Sequence, residues 1–366
     1  MKTYLVGGCV RDELLGLPVQ DHDHVVVGAT PAEMAALGFR PVGADFPVFL
    51  HPDTHEEYAL ARTERKTAPG YKGFVFHADA DVSLEEDLRR RDLTINAMAR
   101  GEDGVLVDPY GGEKDLRAGV LRHVSEAFAE DPVRILRVAR FAARFGFVVA
   151  PETMALMKQM VAAGEADALV AERVWQELAR GLMEEHPSRM IALLVESGAL
   201  ARVLPELDRV FRFGGAAERV TARLDTAAAR GLSLPVRFAL LVIDLGATEI
   251  ASLAQRINAP TDCRDLARIA SIERGTMRRQ DLDAEALLSL LERIDAFRRP
   301  ERVERLIEVA ECDAASEKPA ADVPRQRLMS ALELARSVEA GAIARQHPSD
   351  IPAAVRRARL AAIEAA

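Results

Sequence analysis

Short apolar runs of the β type alternate with helical segments along about the first 120 residues. Contiguous β-branched residues predict strands, and apolar residues that recur every three or four positions predict helices. The predicted strands are Tyr4-Leu5-Val6, Val25-Val26-Val27 and Val105-Leu106-Val107, and the predicted helices are Cys9 to Leu15 and Pro31 to Leu37. From Ser125 onward strand patterns fade, and Ala, Leu, Arg and Glu follow helical periods to the C-terminus. The pattern predicts an α+β head with a mixed sheet and helices, followed by an all-α remainder.

The composition limits where the protein works. No apolar run approaches the length of a membrane span, and the N-terminal residues do not have the pattern of a signal peptide. Cys9, Cys263 and Cys312 are far apart and odd in number, which argues against a disulfide framework or a zinc site and fits a reducing compartment. We therefore predict a cytoplasmic protein without a membrane partner. The sequence does not define the oligomeric state, and a monomer is favoured.

The net charge of −9 does not exclude a nucleic-acid partner, because the arginines are clustered at 89–91, 134–144, 298–305 and 356–359. Screening limits each field to about 8–10 Å at cellular salt, so a locally basic surface can bind a polyanion on an acidic protein. For the two C-terminal clusters, a solvated helix is at least as good an interpretation.

Two glycines, Gly7 and Gly8, follow the first predicted strand and precede a helix. Glycine at such a turn lets backbone N–H groups approach a phosphate, and the start of the helix adds partial positive charge. Arg11, one turn into the helix, could reach the same anion. For the glycine pair alone, a plain strand–helix turn is the better interpretation.

Asp21 and Asp23 lie just ahead of the second predicted strand. At a strand period of two, both carboxylates point to one face, about 7 Å apart at the backbone. Two like charges so close are costly without a cation between them, and Mg²⁺ prefers a few hard oxygen ligands completed by water and phosphates. A polar turn is the bland alternative. Glu57, on the strand-like segment Glu56 to Arg62, is either a third carboxylate or an exposed strand charge.

Two groups of arginines complete the candidate chemistry. Three adjacent arginines precede Asp92, and they cannot all face one direction on a helix. Further along, Arg134, Arg137, Arg140 and Arg144 share one helical face, opposite an apolar face. No regularly spaced acidic residue accompanies this stripe, which suggests an anionic ligand. The preceding Asp131 and Pro132 also suit a helix N-terminus.

Three segments are expected to be mobile: the basic stretch Arg62 to Lys72, the turn Phe213-Gly214-Gly215, and the stretch Ser316 to Pro324.

The order of these motifs resembles the class II tRNA nucleotidyltransferase/poly(A) polymerase family, and most closely its bacterial CCA-adding members. The likeness is dense over residues 1–205 and thin beyond. It rests on the ordered motifs and on three longer stretches: Gly7-Gly8, Asp21 with Asp23, Glu57, Arg90-Arg91-Asp92, Glu130-Asp131 with Arg134, and Asp45 to Lys66, Arg90 to Ala99 and Leu121 to Phe145.

The resemblance implies an enzyme that adds C, C and A from CTP and ATP to the tRNA 3′ end, without a nucleic-acid template, and repairs damaged ends. Asp21 and Asp23 would hold Mg²⁺. Glu57 lies within the same ordered motifs and is the candidate for a third catalytic carboxylate. The implied nucleotide contacts are Gly8 and Arg11 for the phosphates, Arg91 and Asp92 for the ribose, Asp131 and Arg134 for the nucleobase, and Arg137 and Arg140 to complete the site.

The resemblance also implies three parts: a nucleotidyltransferase head over 1–122, a helical neck with the nucleobase-recognition helix over 123–200, and a helical, tRNA-binding body and tail over 201–366. Longer members carry a metal-dependent phosphohydrolase domain with a Cys-His-Asp-Leu-Gly-Lys-Gly motif. Here Ile243 stands at its histidine and Ala247 at its lysine, and His347 is the only histidine after His186. A histidine-rich metal site cannot form, so we predict a degenerate domain without phosphohydrolase activity.

Two other functions remain open from the sequence. A poly(A) polymerase shares the fold, metal site and mechanism, but those enzymes tend to end in a strongly basic extension that this chain lacks. A catalytically silent RNA-binding module would require the carboxylates or the arginines to be missing, and all are present.

Overall fold

The computed structural model describes residues 1–19, 21–42, 48–66, 74–77, 80–317 and 323–365, with the backbone alone for 64–66 and 74–77. Parts of two segments predicted to be mobile, Arg62 to Lys72 and Ser316 to Pro324, lie outside these residues. So do residues 45–47 of one stretch that carries the family resemblance.

The strands form a mixed sheet of seven, in the order β3-β4-β5-β2-β1-β8-β9, and two small two-stranded sheets. Strand β2 pairs antiparallel with β1 and parallel with β5, which places Asp23 directly opposite Glu57. The strand bounds are β1 Lys2–Val6, β2 Asp23–Val27, β3 Arg40–Val42, β4 Val48–Leu50, β5 Glu57–Leu60, β6 Thr63–Lys66, β7 Phe74–His77, β8 Ala99–Gly101, β9 Leu106–Val107, β10 Val120–Leu121 and β11 Val148–Val149.

The side chains of strand β2 show that both faces of the sheet are covered. Successive side chains of a strand point to opposite faces, and Val25 and Val26 are each 1% exposed. Val25 packs with Leu88 and Ala97 on one side, and Val26 packs with Met34 and other residues on the other. The sheet is therefore a buried layer, and polar residues at its strand ends are available for a site.

The helices dominate the chain after β10. Their bounds are α1 Gly8–Leu14, α2 Pro31–Ala36, α3 Leu84–Arg89, α4 Gly112–Ala118, α5 Val133–Phe145, α6 Pro151–Ala162, α7 Ala171–Met183, α8 Pro187–Glu196, α9 Ala199–Val203, α10 Pro205–Phe211, α11 Ala216–Ala229, α12 Leu234–Val242, α13 Ala247–Arg256, α14 Thr261–Glu273, α15 Ala284–Arg293, α16 Glu301–Ala315, α17 Arg325–Ser337, α18 Ala340–Gln346 and α19 Ile351–Glu364.

The fold class predicted from the sequence is confirmed. The predicted strands and helices of the head match β1, β2, β9, α1 and α2 to within one or two residues at their ends, as is usual for frayed termini. The two-residue strand β11 is a small exception to the helical remainder. None of the helices in the described ranges is both long and apolar enough to cross a membrane.

The chain divides into two compact units. The first comprises Met1–Glu177 and Arg189–Val203, and the second comprises Leu178–Ser188 and Leu204–Ala366. In the second unit, every residue from Pro235 to Val242 on α12 is buried, so this helix forms the centre of a helical core.

Candidate nucleotide-binding site

The turn between β1 and α1 depends on Gly7. Its φ of 78° and ψ of −126° lie in a region that side chains rarely allow. A Cβ added there would meet the Nη1 atom of Arg91 at 2.8 Å. Gly8 is different, because a Cβ would lie in ordinary contact with Arg11, 3.5 Å from its Nη2 atom. The fold itself therefore requires glycine at position 7 but not at position 8.

A cleft of about 480 Å³ opens beside this turn. It brings together residues that are up to 166 positions apart in the chain, and its wall is rich in arginine. The lining residues are Gly7, Gly8, Arg11, Asp23, Arg90, Arg91, Asp92, Asn96, Asp131, Arg134, Arg137, Arg140, Phe141, Arg144 and Arg173.

Arg11 is 4% exposed and is fixed by polar partners. Its Nε donates to Asp12 at 2.8 Å and its Nη1 donates to the side-chain oxygen of Asn96 at 2.5 Å. The other carboxylate oxygen of Asp12 accepts from Arg144 at 2.9 Å. Asp12 thus links α1 to the end of α5. Burial lowers the pKa of Arg11, although Asp12 opposes that shift.

Asp92 is a buried acceptor at the centre of the cleft wall. Its carboxylate accepts from Arg137 Nε at 2.7 Å, from the amide of Asn96 at 2.9 Å and from the backbone N–H of Leu93 at 2.8 Å. Burial favours the neutral acid, but Arg137, Asn96 and Arg134 outweigh it and hold the pKa of Asp92 well below its usual range. Asp92 is therefore an anion at neutral pH, and it orients Arg137.

Asp131 and Arg134, at the start of α5, already have partners on the protein. Arg173 on α7 donates two parallel hydrogen bonds, of 3.0 and 2.7 Å, to the carboxylate of Asp131. Arg134 donates to the backbone oxygens of Ala127 at 2.8 Å and Arg90 at 2.6 Å. These bonds hold one acceptor group and one donor group in fixed positions at the same end of the cleft.

The remaining arginines of α5 have carboxylate partners from other elements. Arg140 donates to Glu177 at 2.6 Å, and both side chains are buried. The guanidinium of Arg140 lies 4.4 Å from the ring centre of Phe141, and Arg11 lies over the same ring at 5.2 Å. These acidic partners are not evident from the sequence around the stripe because they lie 37 to 132 positions away.

Two of the three predicted catalytic carboxylates, Asp23 and Glu57, begin β2 and β5, and the third, Asp21, lies just before β2. Asp21, Asp23 and Glu57 are exposed, and Asp23 stands opposite Glu57 on the neighbouring strand. No ion pair to these side chains is found within the described residues. The same part of the chain contains no group of three or more His, Cys, Asp or Glu side chains arranged to hold a metal ion. Open carboxylates without a protein cation fit Mg²⁺, which binds through one or two carboxylates and takes its other ligands from water and phosphates.

Most of the predicted site residues meet in the cleft, whereas Asp21 and Glu57 are outside its described lining. Arg90 and Arg144 lay within the sequence motifs without an assigned role. Arg173, Asn96 and Phe141 were not predicted to take part. Asn96 and Phe141 lie inside the stretches that carry the family resemblance, which was the one available signal for them. Nothing local to Arg173 distinguishes it from a solvated helical arginine.

Comparisons with known proteins agree with this architecture. Residues 3–122 match the family described as the poly A polymerase head domain, and residues 146–211 match the probable RNA and SrmB-binding site of polymerase A. The CCA-adding enzyme of Bacillus stearothermophilus, solved in complex with CTP, superposes with a TM-score of 0.70 at 26% identity, over 99% of this chain and 89% of that one. The head is therefore that of a nucleotidyltransferase.

Curated relatives that this chain matches over nearly their whole length identify the family. The multifunctional CCA protein of Azoarcus sp. is 56% identical over 400 residues, covering 100% of this chain and 97% of the relative. The multifunctional CCA protein of Aromatoleum aromaticum is also 56% identical, over 100% of this chain and 98% of its own length. The chain belongs to the family of the multifunctional CCA proteins, and the prediction of a tRNA nucleotidyltransferase is confirmed.

Proposed function

We propose that the protein adds C, C and A from CTP and ATP to the 3′ end of tRNA without a nucleic-acid template, releasing pyrophosphate, and repairs damaged ends by the same reaction. The observation that carries the proposal is the cleft, in which arginines held by carboxylates lie next to Asp23. Guanidinium groups in fixed positions suit the oxygens of a triphosphate. Identity of 56% over 97% of the length of a multifunctional CCA protein supports tRNA as the acceptor.

We propose that Asp21 and Asp23 hold Mg²⁺ and that Glu57 is the third catalytic carboxylate. The exposed carboxylates and the register that sets Asp23 against Glu57 support this assignment. When bound, the ion would activate the primer 3′-OH and neutralise the leaving pyrophosphate.

The chain's own residues bind and orient the nucleotide. Gly8 offers a backbone without a side chain at the phosphate end, and Arg11 supplies a cation there. Arg91 and Asp92 recognise the ribose. Arg137 and Arg140 complete the site, and their acidic partners fix them before the nucleotide arrives, which lowers the entropy lost on binding.

The nucleobase is recognised by protein groups rather than by a template. A carboxylate only accepts hydrogen bonds and a guanidinium only donates them, so Asp131 and Arg134 together can match the edge of a base. Cytosine and adenine both present an amino donor beside a ring acceptor, whereas guanine and uracil present different patterns. A fixed acceptor next to a fixed donor therefore favours C and A over G and U.

The proposed organisation is a head over 1–122, a neck over 123–200 and a body and tail over 201–366 that holds tRNA. We place the reaction in the cytoplasm, in agreement with three buried cysteines in the free thiol form.

The phosphohydrolase activity of longer family members is proposed to be absent. Asp244, the acidic residue of the degenerate motif, lies just after α12 and accepts from Arg223 at 2.6 Å and from Arg274 at 2.8 Å. The same two arginines also pair with the buried Asp313, each at 2.8 Å. Guanidinium groups thus neutralise these carboxylates, which are no longer open to a metal ion. Ni²⁺-dependent release of phosphate from a nucleotide by the pure protein would contradict this claim.

The proposal is tested by incubating the protein with Mg²⁺, tRNA lacking its 3′ end, and each labelled nucleoside triphosphate singly and together. We expect CTP alone to give two additions and CTP with ATP to give three. Asp21→Ala and Asp23→Ala should each abolish incorporation and leave tRNA binding largely intact. Retained turnover in either variant would contradict the metal assignment.

The same assay separates the two other candidates. A poly(A) polymerase would extend the RNA with an indefinite A tract, and a silent RNA-binding module would bind tRNA without incorporating any nucleotide. No structural feature of the described residues favours either over CCA addition.

A further inference from the structure

A fully buried carboxylate, Asp87, lies directly behind the arginines of the cleft. It is 0% exposed and belongs to α3, outside the cleft lining. Its carboxylate accepts from Arg90 Nη2 at 2.6 Å and Nε at 3.0 Å, and from Arg91 Nη2 at 3.2 Å. The backbone N–H of Arg62 adds a fourth bond at 3.3 Å. One carboxylate therefore holds two cleft arginines at once.

The influence of Asp87 extends to the start of α5. Arg90, which it holds by two bonds, presents its backbone oxygen to Arg134 Nη2 at 2.6 Å. Arg90 also donates from Nε to the backbone oxygen of Arg62 at 3.0 Å, so its side chain has one well-defined position. The chain of contacts runs from Asp87 through Arg90 to Arg134, the proposed donor to the nucleobase.

The guanidinium of Arg91 is confined by close neighbours on two sides. Its Nη1 lies 2.8 Å from the position of a Cβ on Gly7, and it is 3.5 Å from the backbone oxygen of Asn96. Asp87 holds Nη2 on the other side of the same guanidinium. The group is thus placed between the glycine turn and a buried anion, and a shift of the anion moves the cation relative to the turn.

Asp87 is ionised in the folded protein. Burial favours the neutral acid, but Arg91 and Arg90 outweigh it and lower the pKa of Asp87. A buried anion with four hydrogen-bond donors around it is oriented rigidly, whereas a neutral amide would present two donors of its own to the arginines.

We propose that Asp87 is a positioning residue for the nucleotide site, acting through Arg91 at the ribose and through Arg90 and Arg134 at the nucleobase. This inference rests on the proposed function of the cleft. It concerns nucleotide binding and not tRNA binding, since both contact routes from Asp87 end in the cleft.

The test compares Asp87→Asn and Asp87→Glu with the control Asp115→Asn. Asp115 is a matched buried carboxylate in the same unit, paired with Thr94 and Arg122 away from the cleft lining. Asp87→Asn removes the charge, and Asp87→Glu keeps the charge but moves it by one methylene. Because Asp87→Glu keeps the ion pairs with the arginines, its KM can be measured even where Asp87→Asn is too unstable to fold.

We expect both Asp87 variants to raise the KM for CTP and ATP by about 10- to 100-fold, because small misplacements of binding groups cost that much. The KM for tRNA should stay within about twofold of the wild type. Asp115→Asn should lower the melting temperature without changing either KM. CTP should raise the melting temperature of the wild type and Asp115→Asn but much less that of the Asp87 variants.

Wild-type nucleotide KM in a folded Asp87 variant overturns the inference. So does a loss confined to kcat and melting temperature, in the manner of a purely structural residue. If the wild type is stabilised by CTP but incorporates no nucleotide, the proposed function fails, while the melting shifts still decide the role of Asp87.

Discussion

Replacing Arg173 with lysine tests whether the orientation of Asp131 sets nucleotide choice. The native pair has two bonds of 3.0 and 2.7 Å, with the side chains 27% and 18% exposed. Lysine keeps the charge but cannot form the parallel fork. Such a pair is worth about 1.5–3 kcal/mol when shielded, and solvent exposure reduces the expected loss to about 1–2 kcal/mol.

If that loss falls on nucleobase recognition, discrimination weakens by about 5- to 30-fold. The assay is the ratio of kcat/KM for CTP to that for UTP, on tRNA that lacks its 3′ end. Arg202→Lys is the control, because Arg202 pairs with Asp167 at 3.4 Å on an exposed part of the same unit. We expect the ratio to fall for Arg173→Lys and to stay unchanged for Arg202→Lys. An unchanged ratio in both would refute the argument that Arg173 orients Asp131 for base selection.

Three further outcomes are expected. Gly7→Ala should misplace Arg91 and lower the melting temperature, whereas Gly8→Ala should fold normally and raise the nucleotide KM. An equal fall in melting temperature for the two variants in a thermal scan would contradict this. The pKa of Asp92 in the folded protein lies below its unfolded value of about 4, so the ionised carboxylate stabilises the fold above that pH. This contribution to the free energy of unfolding is lost as the pH falls below about 4. In Asp92→Asn, the free energy of unfolding should therefore depend less on pH in this acid range. Asp244→Asn should cost about 3 kcal/mol in urea unfolding, with or without Ni²⁺, because it removes a partner of the fully buried Arg223; Ni²⁺-dependent stability would contradict the loss of the metal site.

The architecture could be predicted from the sequence because local pattern and global fold agree. The valines of β2 are apolar on both faces since both faces of the sheet are covered. The arginine stripe of α5 follows from the helical period alone, and its apolar side is buried as the period requires.

The partners in the cleft could not be predicted, since they are set by tertiary packing. The arginine stripe looked unpaired in the sequence, yet Arg137 pairs with Asp92 and Arg140 pairs with Glu177 on other elements. In the sequence Arg173 is indistinguishable from an ordinary helical arginine, because its pairing with Asp131 at the start of α5 is set by tertiary packing. The role of Asp87 could not be predicted from the sequence either, because only its burial distinguishes it from the neighbouring surface acids.

The most direct test of the central claim is to sequence the 3′ ends produced from tRNA lacking C, C and A, with Mg²⁺ and all four nucleoside triphosphates present. We predict that the added sequence is CCA on nearly every molecule and that growth stops there. Long A tracts, or ends that incorporate G and U as readily as C and A, would contradict the proposal that Asp131 and Arg134 select the nucleotide in this cleft.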